Sequence, residues 1–225
     1  MRARPDPADP TADLIWLCRR LASALHGGAK PVSALDAVAA EAPPSLAKTI
    51  KAMRGHLASG DCMGRGLAQL GLPSYIWGAI FSGEVCGELE QAATLLADRL
   101  ELERSLPPPA NPRRHSLSLA FGRLGLLLAL HAPMLTALEA AAESLPDPKV
   151  RSHLLAAREA VTRGADLADA LAQLAPDLPP MTLDMIRDAE RDGRLPEALP
   201  VIADYLLDVA ADKPVRRAHK EVRHG

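Results

Sequence analysis

A short motif that contains a carboxylate occurs twice in this chain. The shared pattern is glutamate-x-x-glycine-x-leucine, and its fixed residues are Glu84, Gly87 and Leu89 in the first segment and Glu190, Gly193 and Leu195 in the second. A glutamate can act as a general acid or base, so Glu84 and Glu190 are the first residues to consider for catalysis. Each copy of the motif has one glutamate among its fixed residues, and no constellation of nucleophile, base and orienting group accompanies it.

A structural role explains the motif better than catalysis does. The glycine can adopt positive φ and turn the chain between two helices. A glutamate three residues earlier can then reach the free N–H groups at the start of the following helix, where the helix dipole favours an anion. The motif therefore predicts that Glu84 and Glu190 orient a helix corner, and that the six motif residues serve structure or an interface.

An acidic segment overlaps the second motif and offers the best candidate for cation binding. Asp184, Asp188, Glu190 and Asp192 could attract a divalent ion, but they lack the regular spacing of oxygen ligands in a dedicated calcium loop. Runs of charge are more often solvated helix faces. The sequence therefore predicts an exposed acidic helix here and no metal site.

Motifs for other chemistries are missing from the sequence. The seven histidines are scattered and form no HExxH, and the three cysteines form no CxxC. Gly64-Arg65-Gly66 lacks the preceding strand and the further glycines of a phosphate-binding loop, and no GxSxG occurs. The sequence thus predicts a protein that is not an enzyme and that has no catalytic, cofactor-binding or metal-ligating residues and no cofactor.

Composition sets the fold class and excludes several partners. Alanine and leucine dominate, aromatic residues make up 3% of the chain, and runs of alternating β-branched residues are missing, which predicts an all-α fold. The net charge of −2 does not favour nucleic-acid binding. The longest uncharged stretch, residues 124–138, is shorter than the roughly 20 apolar residues that span a bilayer. We expect a cytoplasmic protein on these grounds.

Apolar periodicity and helix-breaking residues predict six short helices in each half of the chain. In the first half they cover residues 13–26, 31–40 and 45–58, a short helix that ends near residue 70, and one helix on each side of Gly87. In the second half they cover residues 117–130, 134–144, 147–163, 166–174, 179–191 and 194–210. The offset between matching positions drifts from 103 to 106, which indicates two tandem copies of one domain.

The predicted architecture is therefore two tandem six-helix bundle domains joined by a proline-rich linker. Its expected divisions are a disordered N-terminus (1–12), the first copy (13–104), the linker (105–115), the second copy (116–210) and a basic disordered tail (211–225). Four prolines between residues 105 and 115 favour an extended linker over a helix.

The order and spacing of these signals resemble the cytoplasmic domain of the type II secretion system F family, the inner-membrane platform proteins of secretion machines and type IV pili. Gly83-Glu84-x-x-Gly87-x-Leu89 matches the family's last signal in full. Ala189 replaces the first glycine of this signal in the second copy, and the fifth helix of that copy is unusually polar, with Asp184, Arg187, Asp188 and Arg191. Family members carry membrane spans between and after these domains, where this chain has the linker and the basic tail.

The resemblance implies a non-enzymatic protein–protein interaction module of a bacterial type II secretion or type IV pilus-like machine. It implies other platform subunits or the cytoplasmic secretion ATPase as partners, with homo-oligomerisation as a further option. It also allows the repeated corner to contribute to a protein contact or a cation site. Membrane contact would be at most peripheral, at the inner membrane and through the basic tail. The alternative is a free-standing helical adaptor or regulator unrelated to secretion.

Overall fold

A computed structural model describes residues 9–109, 111–143, 145–179 and 181–210, and all their regular structure is helical. The first copy comprises α1 (Pro10–His26), α2 (Pro31–Glu41), α3 (Ala47–Ala58), α4 (Met63–Ala68), α5 (Ser74–Cys86) and α6 (Leu89–Ser105). The second comprises α7 (Pro112–Ala129), α8 (Met134–Glu143), α9 (Pro148–Thr162), α10 (Leu167–Ala170), α11 (Thr182–Arg191) and α12 (Leu195–Ala210). The prediction of an all-α fold with six helices in each copy is confirmed.

Two short 3-10 turns supplement the α-helices. Pro44–Leu46 leads into α3, and Ala172–Asp177 follows α10. The second turn occupies part of the helix that the sequence predicts over residues 166–174. Pro176 lies inside this turn and has no N–H to donate, so an α-helix cannot continue through it.

Two helices begin earlier than the sequence predicted, each at a proline. The Asp9 carboxylate accepts hydrogen bonds from the N–H groups of Thr11 and Ala12, and α1 begins at Pro10, so residues 9–12 are not disordered. The Asn111 side chain caps α7 in the same way, and α7 begins at Pro112 within the predicted linker. Proline suits the first helical position because the N–H that it lacks would be unpaired there. Residues 1–8 and 211–225 lie outside the described residues.

In each copy the first helix packs along the last, α1 against α6 and α7 against α12. Leu17 and Leu21 of α1 and Leu96 of α6 are fully buried in the first copy. The second pair approaches closely at Gly125, where an added β-carbon would lie 2.7 Å from Cδ of Pro200. This packing supplies the stability that such short helices lack in isolation.

Helix α7 is enclosed on all sides because it also contacts the first copy. Every residue from 116 to 127 is buried, whereas the matching helix α1 exposes Arg20 and Ser23. Helix α5 packs against both α7 and α8, and α6 packs against α7. The buried apolar residues of the two copies consequently form one continuous core.

A buried ionic cluster lies at the junction between the copies. Arg123 of α7 donates two hydrogen bonds to Glu103 of α6, with Nε 3.0 Å from Oε1 and Nη2 2.8 Å from Oε2. Arg99 Nε donates to Glu103 Oε1 at 2.8 Å, and the Tyr75 hydroxyl donates to Glu103 Oε2 at 3.1 Å. The side chains of both arginines are 8% exposed and that of Glu103 is 12% exposed. One carboxylate thus joins α5, α6 and α7.

The cluster shifts the ionisation of its members. Burial opposes the charge on Glu103, but hydrogen bonds and charge from Arg123 and Arg99 outweigh it and lower the pKa of Glu103. Burial, together with the negative charge of Glu103, raises the pKa of Tyr75. The Arg123 guanidinium also stacks on the Tyr75 ring, with its central carbon 4.2 Å from the ring centroid. The carboxylate is therefore held charged inside the junction.

We predict that Glu103→Gln lowers the free energy of unfolding at pH 7 by about 3 kcal/mol, because two buried guanidinium groups lose their counter-charge. Glu101→Gln is the matched control on α6, since the Glu101 side chain is 42% exposed and pairs with Arg19 at 2.9 Å. The control should cost less than about 1 kcal/mol. Urea unfolding followed by circular dichroism measures both.

The same variants test the pH dependence. A carboxyl whose pKa falls on folding stabilises the fold above its ordinary value of 4.5 and loses that contribution as the pH drops through the lowered folded value. The stability difference between wild type and Glu103→Gln should therefore be largest near neutrality and shrink in acid below this ordinary value. A difference that stays constant with pH would contradict the assignment.

Candidate functional site

The first copy of the repeated motif forms the corner between α5 and α6. Gly87 ends α5 with a left-handed backbone, φ +77°. The Glu88 N–H donates to the Gly83 carbonyl at 2.7 Å, and the Gly87 N–H donates to the Glu84 carbonyl at 3.3 Å. This pair of bonds is the Schellman motif that ends many helices.

The second copy repeats this geometry between α11 and α12. Gly193 has φ +68°. The Arg194 N–H donates to the Ala189 carbonyl at 2.7 Å, and the Gly193 N–H donates to the Glu190 carbonyl at 3.2 Å. The predicted positive φ at both glycines is confirmed.

The two glutamate side chains cap a different helix from the one that the sequence suggested. Glu190 accepts from the Leu167 N–H at 2.6 Å and from the Ala168 N–H at 3.2 Å, both at the start of α10. Glu84 accepts from the Gly64 N–H at 3.4 Å, in the first turn of α4. The expectation that each glutamate caps the following helix was therefore wrong: each bonds to the fourth helix of its copy.

Helix geometry explains why the target differs. Side chains on a helix tilt toward its N-terminus, so a glutamate in the last turn of α5 or α11 points back, away from the helix that follows. The fourth helices need such a partner because the residues that precede them, Cys62 and Asp166, make no side-chain capping bond. The glutamate supplies from a distant segment the cap that the local sequence lacks.

The two motif leucines anchor the corner in the core. Leu89 is the first residue of α6 and Leu195 the first of α12, and they are 5% and 7% exposed. The structure therefore brings glutamate, glycine and leucine of each motif together at one corner, but it keeps the two corners in separate copies.

The Glu84 carboxyl lies in a partly desolvated position. Burial raises the pKa of Glu84, hydrogen bonds from the Met63 and Gly64 backbone oppose the rise, and the charge of Asp61 adds to it. A raised pKa is common at catalytic carboxyls, but here the Glu84 carboxylate bonds to the backbone of α4. Burial also raises the pKa of the neighbouring Cys62 thiol.

The acidic residues of α11 and the turn after it are paired with arginines. The ion pairs join Asp184 to Arg187 at 2.7 Å, Asp188 to Arg191 at 2.9 Å and Asp192 to Arg194 at 2.5 Å. Arg187 also reaches Asp169 of α10 at 3.1 Å. All of these side chains are substantially exposed, as the sequence predicted for a charged helix face. Within the described residues, no group of three or more histidines, cysteines or carboxylates is arranged to hold a metal ion.

Two sets of residues escaped sequence reasoning. One is the junction cluster of Tyr75, Arg99, Glu103 and Arg123. The other is the exposed pair of Met181, which immediately precedes α11, and Met185 in the first turn of that helix. A comparison of the copies at the offset of 106 positions could have found the pair, because buried Tyr75 and Ala79 of α5 align with the two methionines.

No helix in the described part of the chain combines the length and the apolar character that a membrane span requires.

We predict that Gly87→Ala lowers the free energy of unfolding by about 1 kcal/mol, because a side chain at positive φ is strained even where space is open. No atom lies within 4 Å of the added β-carbon, so the cost comes from the backbone alone. Gly55→Ala in α3 is the control, since its site is equally open and its φ is not positive. That substitution should stabilise by up to about 1 kcal/mol. Thermal melting of both variants measures the difference. Equal stability of Gly87→Ala and Gly55→Ala would contradict the assignment.

We predict that Glu190→Gln destabilises more than Glu84→Gln. Glu190 makes two short bonds to α10 and should lose about 1 kcal/mol of stability when its charge is removed. Glu84 makes a longer bond and its burial opposes the charge, so Glu84→Gln should change the melting temperature little. Thermal melting and partner binding, measured on the same variants, distinguish a structural role of the glutamate from a role in an interface or a cation site. A Glu84→Gln variant with wild-type stability but no binding would show that this glutamate serves an interface or a cation instead.

Comparison with known families agrees with the duplicated fold. The family model described as type II secretion system (T2SS), protein F, matches two segments, residues 17–106 and 120–219. A comparison with curated proteins gave no match. Each matched segment begins within the first helix of one six-helix copy and includes its glutamate–glycine corner, and together the segments cover most of the chain. The chain therefore belongs to the type II secretion system protein F family and carries two tandem copies of its domain.

Proposed function

We propose that this protein is a non-enzymatic protein–protein interaction module of a bacterial type II secretion or type IV pilus-like machine. Membership of the protein F family supports the secretion or pilus setting. The repeated motif favours an interaction role over a catalytic one. Its carboxylates bond to the backbone of α4 and α10, and its glycines and leucines build the corner. The most distinctive residues of the chain thus maintain the scaffold.

The junction supports a role for the two copies as one rigid unit. Glu103 and its partners fix α5, α6 and α7 to one another, and a continuous core extends through both copies. A partner that contacts both copies would meet a preformed surface and would not have to order it on binding, which favours affinity.

The proposed partners are other platform subunits of the machine or its cytoplasmic ATPase, and the proposed location is the cytoplasm. Attachment at the inner membrane would be peripheral and electrostatic, through the basic residues 213–223. Such attachment weakens as salt screens the charges.

Fractionation followed by affinity capture tests this function. Tagged full-length protein is expressed in its native bacterium, lysates are centrifuged at moderate and high salt, and the protein is captured from the supernatant for mass spectrometry. We expect recovery without detergent, with enrichment of a secretion or pilus ATPase or of platform subunits. Recovery that requires detergent would contradict the peripheral location.

Matched variants test whether the capture depends on the junction between the two copies. Glu103→Gln should weaken capture of a partner that spans both copies, whereas Glu101→Gln should retain it, provided that both variants remain helical at the assay temperature. Reproducible capture of proteins from outside any secretion or pilus system would instead favour the free-standing adaptor.

A further inference from the structure

The fifth helices of the two copies bury different faces. Their core-facing positions agree, since Ile76 and Ile80 of α5 and Thr182 and Ile186 of α11 are all buried. Helix α5 buries two further residues, Tyr75 and Ala79, which are 3% and 0% exposed. Their counterparts are Met181, the residue before α11, and Met185 in its first turn, which are 73% and 41% exposed. The face that α5 presents to the second copy is therefore uncovered on α11.

The receiving surface shows the reciprocal difference. Helix α5 of the first copy packs against α7 and α8 of the second. A β-carbon added at Gly78 of α5 would lie 3.6 Å from the Leu127 side chain. Arg123 and Leu127 of α7, which contact Tyr75 and approach Gly78, are buried, and so is Ala140 of α8. At the offset of 103 positions their counterparts are Arg20, Ala24 and Ala37, of which Arg20 and Ala37 are exposed and Ala24 is half-buried.

These counterparts line an open groove between α1 and α2. Its volume is about 160 Å³, and it is lined by Arg20, Ser23, Ala24, Ala37, Val38 and Glu41. The molecule thus has a groove at the position where the second copy receives a helix. It also has a helix, α11, whose matching face is uncovered.

We propose that α11 of one molecule docks in the α1–α2 groove of a second copy of this chain, in the way that α5 packs against α7 and α8 within the chain. The contact joins two different surfaces, so it is head-to-tail, and a pair retains one free groove on one molecule and one free α11 face on the other. This proposal does not depend on the secretion role.

The chemistry of the two surfaces suits a reversible contact. The groove has the smaller Ala24 where the intrachain surface has Leu127, while Ala37 matches Ala140, and the difference leaves room for the long and flexible side chains of Met181 and Met185. Asp184, on the same face of α11, corresponds to Gly78, which contacts α7 within the chain. Arg20 in the groove stands where Arg123 contacts α5, but Arg20 is paired with Glu41 and Asp184 with Arg187, so the contact depends on the apolar side chains.

Backbone conformation adds an independent feature at this face. Met181 has φ +70°, a left-handed conformation that costs a non-glycine residue about 1–2 kcal/mol. This residue immediately precedes α11, and its apolar side chain is exposed there. Strain of this kind is concentrated where function requires a particular geometry.

Sedimentation velocity of the full chain over a wide concentration range tests the proposal. We expect wild type to associate reversibly. Met185→Lys on α11 and Ala37→Arg in the groove should each raise the dissociation constant by at least about tenfold, since both place a charged chain in the contact. Leu155→Lys is the control, because Leu155 is an exposed apolar residue of α9 outside both surfaces, and it should associate like wild type.

An equimolar mixture of the two surface variants tests the head-to-tail geometry. The Met185→Lys molecule keeps its groove and the Ala37→Arg molecule keeps its helix face, so the mixture should form dimers and no larger species. A wild-type chain that stays monomeric throughout the range overturns the proposal. So does association that survives in either variant, or a mixture that fails to form dimers.

Discussion

One buried carboxylate determines how the two halves of this molecule are arranged. Glu103 lies between the guanidinium groups of Arg99 and Arg123 and accepts the Tyr75 hydroxyl as well. Moving these charges out of water is costly, and their attraction repays the cost only with good geometry and further hydrogen bonds. Because these bonds require one relative position of α5, α6 and α7, we expect the cluster to favour that position over others that apolar packing alone would tolerate.

The repeated corner solves a different physical problem, the stability of very short helices. Helices α4 and α10 have six and four residues, and such lengths do not persist in water on their own. Glu84 and Glu190 satisfy N–H groups at their starts from the last turn of another helix. The turn at Gly87 or Gly193 then directs the chain into the long sixth helix. One motif thus links the fourth, fifth and sixth helices of each copy.

Local features of the sequence were sufficient to predict the helices and their corners. Prolines and glycines placed most boundaries within a few residues, and Gly87 and Gly193 adopt the positive φ that their position between two apolar runs predicted. The error at residues 112–115 arose because the prolines of this segment were taken to exclude a helix, although proline favours the first helical position.

Features that depend on tertiary placement were not predictable from the sequence. The bond from Glu190 to α10 requires the packing of α10 against α11, which no local pattern encodes. Arg99 and Glu103 are spaced like an ordinary exposed i, i+4 pair. They form a buried cluster only because Arg123, on the other side of the linker, packs against them in the folded chain. The polarity of α11 relative to α5 was visible, but its cause, the missing neighbour, required the structure.

The enclosure of α7 makes the two repeats non-interchangeable. A β-carbon at Gly122 would overlap the Arg99 guanidinium, and the residue at the matching position of the first repeat is Arg19. A tandem made of two first repeats would therefore force an arginine into the space that Arg99 occupies, and it would also bury Ser23 at the position of Leu126. The two repeats are therefore not equivalent: the opening helix of the first keeps one exposed face, whereas the central part of the second repeat's opening helix is buried.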